Sequence, residues 1–132
     1  MKQILFILFT SFLPACCFGQ TEQKECASFK TGQFAYRDSA NNIINVTRKG
    51  GKQHEEDKKT RTITKFRIKW TNDCEYELTQ IWSNSKAKRK QNRAVTRIVI
   101  TKANGNDSYE YTCACRDREE KANSGMMVRL NE

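Results

Sequence analysis

An arginine, a glutamine and a glutamate flanking a pair of glycines are the polar residues best placed to meet inside a small protein. Arg48, Gln53 and Glu55 lie around Gly50-Gly51, and two successive glycines suit a tight hairpin turn whose central residues need positive φ. A turn there sets Arg48 opposite Gln53 and Val46 opposite Glu55. If Val46 faces an apolar interior, the three polar side chains point inward with it, toward the same interior as Trp70. A buried guanidinium needs hydrogen bonds and a compensating carboxylate. One expectation is therefore a self-satisfied network in which Glu55 neutralises Arg48. The other is that Arg48, Gln53, Glu55 and Trp70 orient a small polar or amphiphilic ligand at the mouth of a barrel, where such folds hold their ligands.

A second candidate lies further along. Lys86, Lys88, Arg89, Lys90 and Arg93 place five cations within eight residues. Such a run suits contact with polyanions (lipopolysaccharide phosphates, acidic polysaccharide or nucleic acid) and equally suits a solvated loop. The run has no aromatic residue on which to stack bases, which argues against sequence-specific reading. His54, the one histidine, lies in a charged segment (KQHEEDKK) with no serine or cysteine placed as a nucleophile. No catalytic constellation is expected. With no paired C-x-x-C spacing, neither is a metal site or a cofactor.

The cysteines read differently once the N-terminus is considered. Met1 and Lys2 precede an almost unbroken apolar run from Ile4 to Leu13, followed by small residues at Ala15, Cys16, Cys17 and Gly19. This is the pattern of an export signal over 1–19, leaving a single domain over 20–132. An alternative is that Leu13-Pro14-Ala15-Cys16 serves as a lipobox and Cys16 becomes a lipid anchor. Export to an oxidising compartment makes Cys26, Cys74, Cys113 and Cys115 disulfide candidates. Cys113 and Cys115 are two apart on one face of a strand, and closing so small a ring demands distorted geometry. The favoured pair is Cys26 with Cys74; the partners of Cys113 and Cys115 stay open.

Alternation supplies the elements. Over 60–70, Thr64, Phe66, Ile68 and Trp70 share one face, and Arg61, Lys65, Arg67 and Lys69 the other. After Thr71-Asn72-Asp73 the pattern resumes with Cys74, Tyr76 and Leu78, so a hairpin follows that sets Ile68 against Tyr76 and Arg67 against Glu77. Asn104-Gly105 signals a second, two-residue type I′ hairpin pairing Ile100 with Tyr109 and Ile98 with Tyr111. Further strands are expected over 33–37, 43–48, 52–56 and 126–130, where Met126, Val128 and Leu130 share a side. Ser83 to Arg93 has no apolar stripe and reads as a loop. The fold expected is all-β: an antiparallel meander of about seven to eight short strands forming a closed or half-open small barrel, lipocalin-like in outline.

At 132 residues, with 30% charged, a net charge of +9 and mean hydropathy of −0.81, the chain is one small basic domain and excludes a membrane helix bundle. Its segments C-A-S-F-K-T-G from Cys26, R-x4-Q-x-E from Arg48 and W-T-N-D-C-E-Y-E-L from Trp70 resemble a group of small exported or lipid-anchored proteins of Gram-negative bacteria whose function is not established. The resemblance covers Cys26 to about Leu78. Some members carry the label "DNA topoisomerase IV", which a domain of this size has no means to perform. The reading is an exported, periplasmic or secreted, non-catalytic binding or envelope-associated protein holding an unknown small ligand in a barrel interior. The alternative is a binder of an anionic envelope polymer through 86–93. Asp38-Ser39-Ala40 also resembles a short O-glycosylation acceptor at Ser39, although a plain turn accounts for it.

Overall fold

The structure, a computed structural model, describes residues 25–115 and 123–131. The expected export signal and Cys16 lie outside the described residues. Eight strands follow one another: β1 (Gly32–Arg37), β2 (Ile43–Lys49), β3 (Lys52–Asp57), β4 (Thr62–Asn72), β5 (Glu75–Ser83), β6 (Val95–Asn104), β7 (Ser108–Cys115) and β8 (Asn123–Arg129). Each pairs antiparallel with its neighbour and β1 pairs with β8, so the meander closes into a barrel. The seam is short: Phe34 pairs with Arg129 and Ala35 with Val128, and the Leu130 amide donates to the Gln33 carbonyl at 2.9 Å.

Alternation decides the two faces. Phe34, Ile44, Val46, Ile68, Tyr76, Leu78, Ile98, Ile100, Tyr109 and Met127 fill the interior. Met126, Val128 and Leu130 do share a side, and it is the outside. The β2–β3 hairpin has the expected register, Val46 opposite Glu55 and Arg48 opposite Gln53, across a turn with φ of 58° at Gly50 and 71° at Gly51.

Two other hairpins differ from expectation. In β4–β5, Ile68 pairs with Leu78, Trp70 with Tyr76 and Arg67 with Thr79, a shift of two residues that preserves the faces. The turn is tighter than expected because irregular pairing between Trp70 and Asn72 absorbs a residue. In β6–β7, Ile100 pairs with Tyr111 and Ile98 with Cys113. The connection is Gly105-Asn106-Asp107, in which only Gly105 has positive φ (58°), and a bulge between Ile100 and Lys102 restores the alternation. A three-residue turn with one left-handed residue replaces the expected type I′ turn.

One end of the barrel is plugged. A 3-10 turn at Ser28–Lys30 drives Phe29, fully buried, beneath the strands. The Cys26–Cys74 disulfide, as expected, ties this segment to the start of β5. Arg129 clasps it by donating to the Ser28 carbonyl at 2.6 Å and stacking over Phe34 at 4.8 Å. At the opposite end the 86–93 segment contains a single helical turn, α1 (Lys86–Arg89), rather than loop throughout. A serine cap explains it: Ser85 Oγ accepts from the Lys88 amide. Gln80, buried, holds this segment to the barrel by donating to the Lys88 carbonyl at 2.6 Å and Asn92 Oδ1 at 2.9 Å.

Candidate functional site

Arg48 lies at the centre of the plugged end, 2% exposed. Its parity on β2 points it inward, and the register with β3 brings Gln53 beside it. Nε donates to Gln53 Oε1 at 2.8 Å, Nη1 to the Phe29 carbonyl at 2.9 Å, and Nη2 to the hydroxyls of Tyr76 at 2.6 Å and Tyr109 at 2.8 Å. Those two hydroxyls are 2.9 Å apart. The guanidinium also lies over the rings of Tyr76 (4.7 Å), Phe34 (5.1 Å), Tyr109 (5.8 Å) and Trp70 (5.9 Å).

The expected Arg48–Glu55 ion pair is therefore absent. Neutral oxygens and aromatic faces surround the cation instead, because Gln53 stands between the two charged groups: it accepts from Arg48 and donates through Nε2 to Glu55 Oε1 at 2.7 Å. Burial opposes the guanidinium's charge, but the Tyr76 and Tyr109 oxygens outweigh it and hold the Arg48 pKa above its ordinary value. Burial in turn pushes the Tyr76 hydroxyl well up, against the pull of Arg48.

Glu55 lies one step toward the other end. Its Oε1 takes the Gln53 bond and its Oε2 accepts from the Tyr36 hydroxyl at 2.9 Å. Among the described residues no cation lies within ion-pair distance of it. Burial raises its pKa above the usual carboxylate range, with the Tyr36 and Gln53 bonds working the other way. Tyr36 is pushed up as well, by burial first and then by the Glu55 charge.

Above this chain of groups the interior is hollow. A cavity of about 180 Å³ is walled by Phe66, Leu78, Ile98 and Met127, with Glu55 and Gln53 as polar groups and Tyr36 and Tyr111 beside them. Gly125 makes room for Tyr111, since a Cβ there would stand 2.6 Å from the phenol oxygen. An engineered cavity of roughly 150 Å³ accepts benzene, which sets the scale of a fitting molecule.

Of the four inward candidates, Gln53 and Glu55 reach the cavity. Arg48 forms the layer beneath it, and Trp70 lies lower still, tilted against Tyr76 at 4.5 Å and capped by Lys30 at 5.6 Å. Tyr36, Tyr76, Tyr109 and Tyr111 complete the site and were not singled out from the sequence. Their inward parity was the available signal, since a buried Arg beside inward tyrosines has its partners at hand. Lys86, Lys88, Arg89, Lys90 and Arg93 lie on the surface, all exposed.

Fold and cavity together define an eight-stranded antiparallel β-barrel with a small interior cavity of mixed polarity. No family model, curated protein or solved structure matches the chain.

Proposed function

We propose that this protein is an exported, non-catalytic binding protein that holds a compact, mostly apolar molecule in its barrel, the molecule donating one hydrogen bond to Glu55. The observation that carries the reading is the cavity itself: apolar walls converging on a buried carboxyl that lacks a cationic partner among the described residues. A hydroxyl or amine would supply a further bond to a group that burial leaves under-compensated. Arg48 is already fully engaged, so its part is to hold Gln53, and through it Glu55, in place. The disulfide suits an oxidising compartment, in line with the resemblance to small exported proteins.

Calorimetric titration with benzylamine, benzyl alcohol and benzoate tests the chemistry. The two donors should bind and benzoate should not, and Glu55→Gln should weaken the preference for the two donors over benzoate. Affinity should change little between low and physiological salt, because the charges involved are buried. Equal binding of all three probes by parent and variant would contradict the reading.

A second reading, polyanion binding through 86–93, is favoured by the exposure of all five cations, none in an ion pair among the described residues. Replacing Lys86, Lys88 and Lys90 together by Ser should then lower the salt at which the protein elutes from an anionic resin. Elution at the parent's salt would leave the segment as a solvated cap on the barrel.

A further inference from the structure

The outer wall of β2–β5 carries a pattern that folding alone does not favour. Reading across the strands, Lys49 lies opposite Lys52, which lies opposite Arg67; one step along, Thr47 lies opposite His54, His54 opposite Lys65, and Lys65 opposite Trp82. Like charges directly opposite one another destabilise a sheet, and Lys69 opposite Glu77 shows that the same wall also uses the favourable pairing. The outward carboxylates Glu56 and Glu77 stand beyond the two rows, at their margins.

The cluster is also shaped. Thr47, Lys49, Lys52, His54, Lys65 and Ile81 line a groove of about 290 Å³. Beyond its Ile81 side, opposite Lys65, Trp82 is 42% exposed, with the Lys65 ammonium 5.1 Å from its ring. The irregular pairing between Lys65 and Phe66 inserts Ile81 as an extra residue and turns Trp82 outward beside Lys65. Arg89 borders this end, donating to the Ser83 and Asn84 carbonyls.

We propose that this wall is a binding site for an anionic glycan, its acidic groups taken by Lys49, Lys52, Lys65 and Arg67 and a sugar ring laid on Trp82. Neighbouring strands are about 4.8 Å apart, so the row of Lys49, Lys52 and Arg67 offers cations at short, regular intervals to an extended polymer, with Lys65 one step along. Cations with no ion-pair partner among the described residues, set along a groove, focus attraction for such a polymer. A single exposed ring suits one sugar face, whereas single-stranded nucleic acid is held by stacking successive bases on several aromatics. A lipid surface would be met by a flat or convex patch rather than a groove. The site is separate from the interior cavity, so either proposal can fail without touching the other.

The test uses the full chain, a heparin hexasaccharide and titration calorimetry at several salt concentrations. The Lys52→Ser/Lys65→Ser variant should bind about tenfold more weakly, with a log–log salt slope shallower by about two, one for each lost cation. Its melting temperature should stay close to the parent's, because losing Lys52 removes its like-charge pairs with Lys49 and Arg67, while losing Lys65 costs only an exposed contact with Trp82. Trp82→Ala should weaken the hexasaccharide several-fold and leave binding of linear polyphosphate, which has no ring, unchanged. If the double variant melts far below the parent, Lys49→Ser/Arg67→Ser carries the same expectation. Parent-like binding by the folded double variant would overturn the proposal, as would equal weakening of polyphosphate by Trp82→Ala. Tighter binding of a single-stranded oligonucleotide or of anionic lipid vesicles than of the hexasaccharide would overturn the glycan assignment.

Discussion

Arg48 and Glu55 lie in one chain of hydrogen bonds, yet the two charges are answered in different ways. Arg48 meets a glutamine oxygen, a main-chain carbonyl, two phenols and four aromatic faces. Arg48→Met would leave the Phe29 carbonyl and Gln53 Oε1 buried without their donors, and a loss of about 3–5 kcal/mol is expected in denaturant unfolding. Arg48→Lys should recover little, because an ammonium cannot span four acceptors. Glu55 behaves oppositely with pH. Its folded pKa is raised, so the native state binds the proton more tightly than the unfolded chain. Its contribution is complete below the ordinary value of 4.5 and is lost as pH rises through the folded value. Glu75, held below the same ordinary value by its bond to Arg97, contributes above it and loses that contribution on acidification. On protein refolded free of bound molecules, Glu55→Gln should flatten the fall of stability above pH 4.5 and leave the acid limb intact. An unchanged slope above that pH would show that Glu55 is not the buried acid. The meeting of Arg48, Gln53 and Glu55 was legible because parity and a Gly-Gly turn fix it. The absence of an ion pair was not, because which oxygen reaches a guanidinium depends on strands far apart in sequence: Tyr109 on β7 and Phe29 below β1.

Among the strands, local signals read well and long-range offsets did not. Gly50-Gly51 set the β2–β3 register residue for residue, since two left-handed positions leave one way to turn. The β4–β5 and β6–β7 registers slipped from expectation where bulges absorb residues, at Trp70/Asn72 and Ile100/Lys102. Bulges answer to barrel curvature, which no short window of sequence contains. In both cases the faces survived, because the offsets keep inward residues inward. The plug is tied by a disulfide that spans 48 residues. Cys74→Ser should cost about 2–5 kcal/mol, seen as a lower melting temperature that reductant does not lower further. On β8, Gly125→Ala must displace the Tyr111 ring, with an expected loss of about 1–3 kcal/mol and a shifted Tyr111 resonance in NMR spectra. An undisturbed Tyr111 signal would mean that the strand backbone yields instead.

At the scale of the whole molecule, closure of the meander converts one face of every strand into an interior and leaves the other to solvent. Arg48 apart, the cations lie mostly outside, and they gather on the β2–β5 wall and around α1. Inside, the side chains fill the plugged end and leave a space near Glu55. Barrel closure was expected from eight short strands with edges to hide. Room for one small ligand inside was expected too; which residues wall it was not, because that depends on the summed volumes of residues such as Leu78, Ile98, Tyr111 and Met127 drawn from four strands. The most direct test of the interior as a binding site is native mass spectrometry of the protein purified from its own source, compared with Leu78→Phe prepared identically. The larger ring at 78 would occupy the cavity that Leu78 now lines. The expected result is a discrete added mass, that of a small organic molecule, on the parent and none on the folded variant. A parent that carries no added mass, or a variant that carries the same one, would contradict the account.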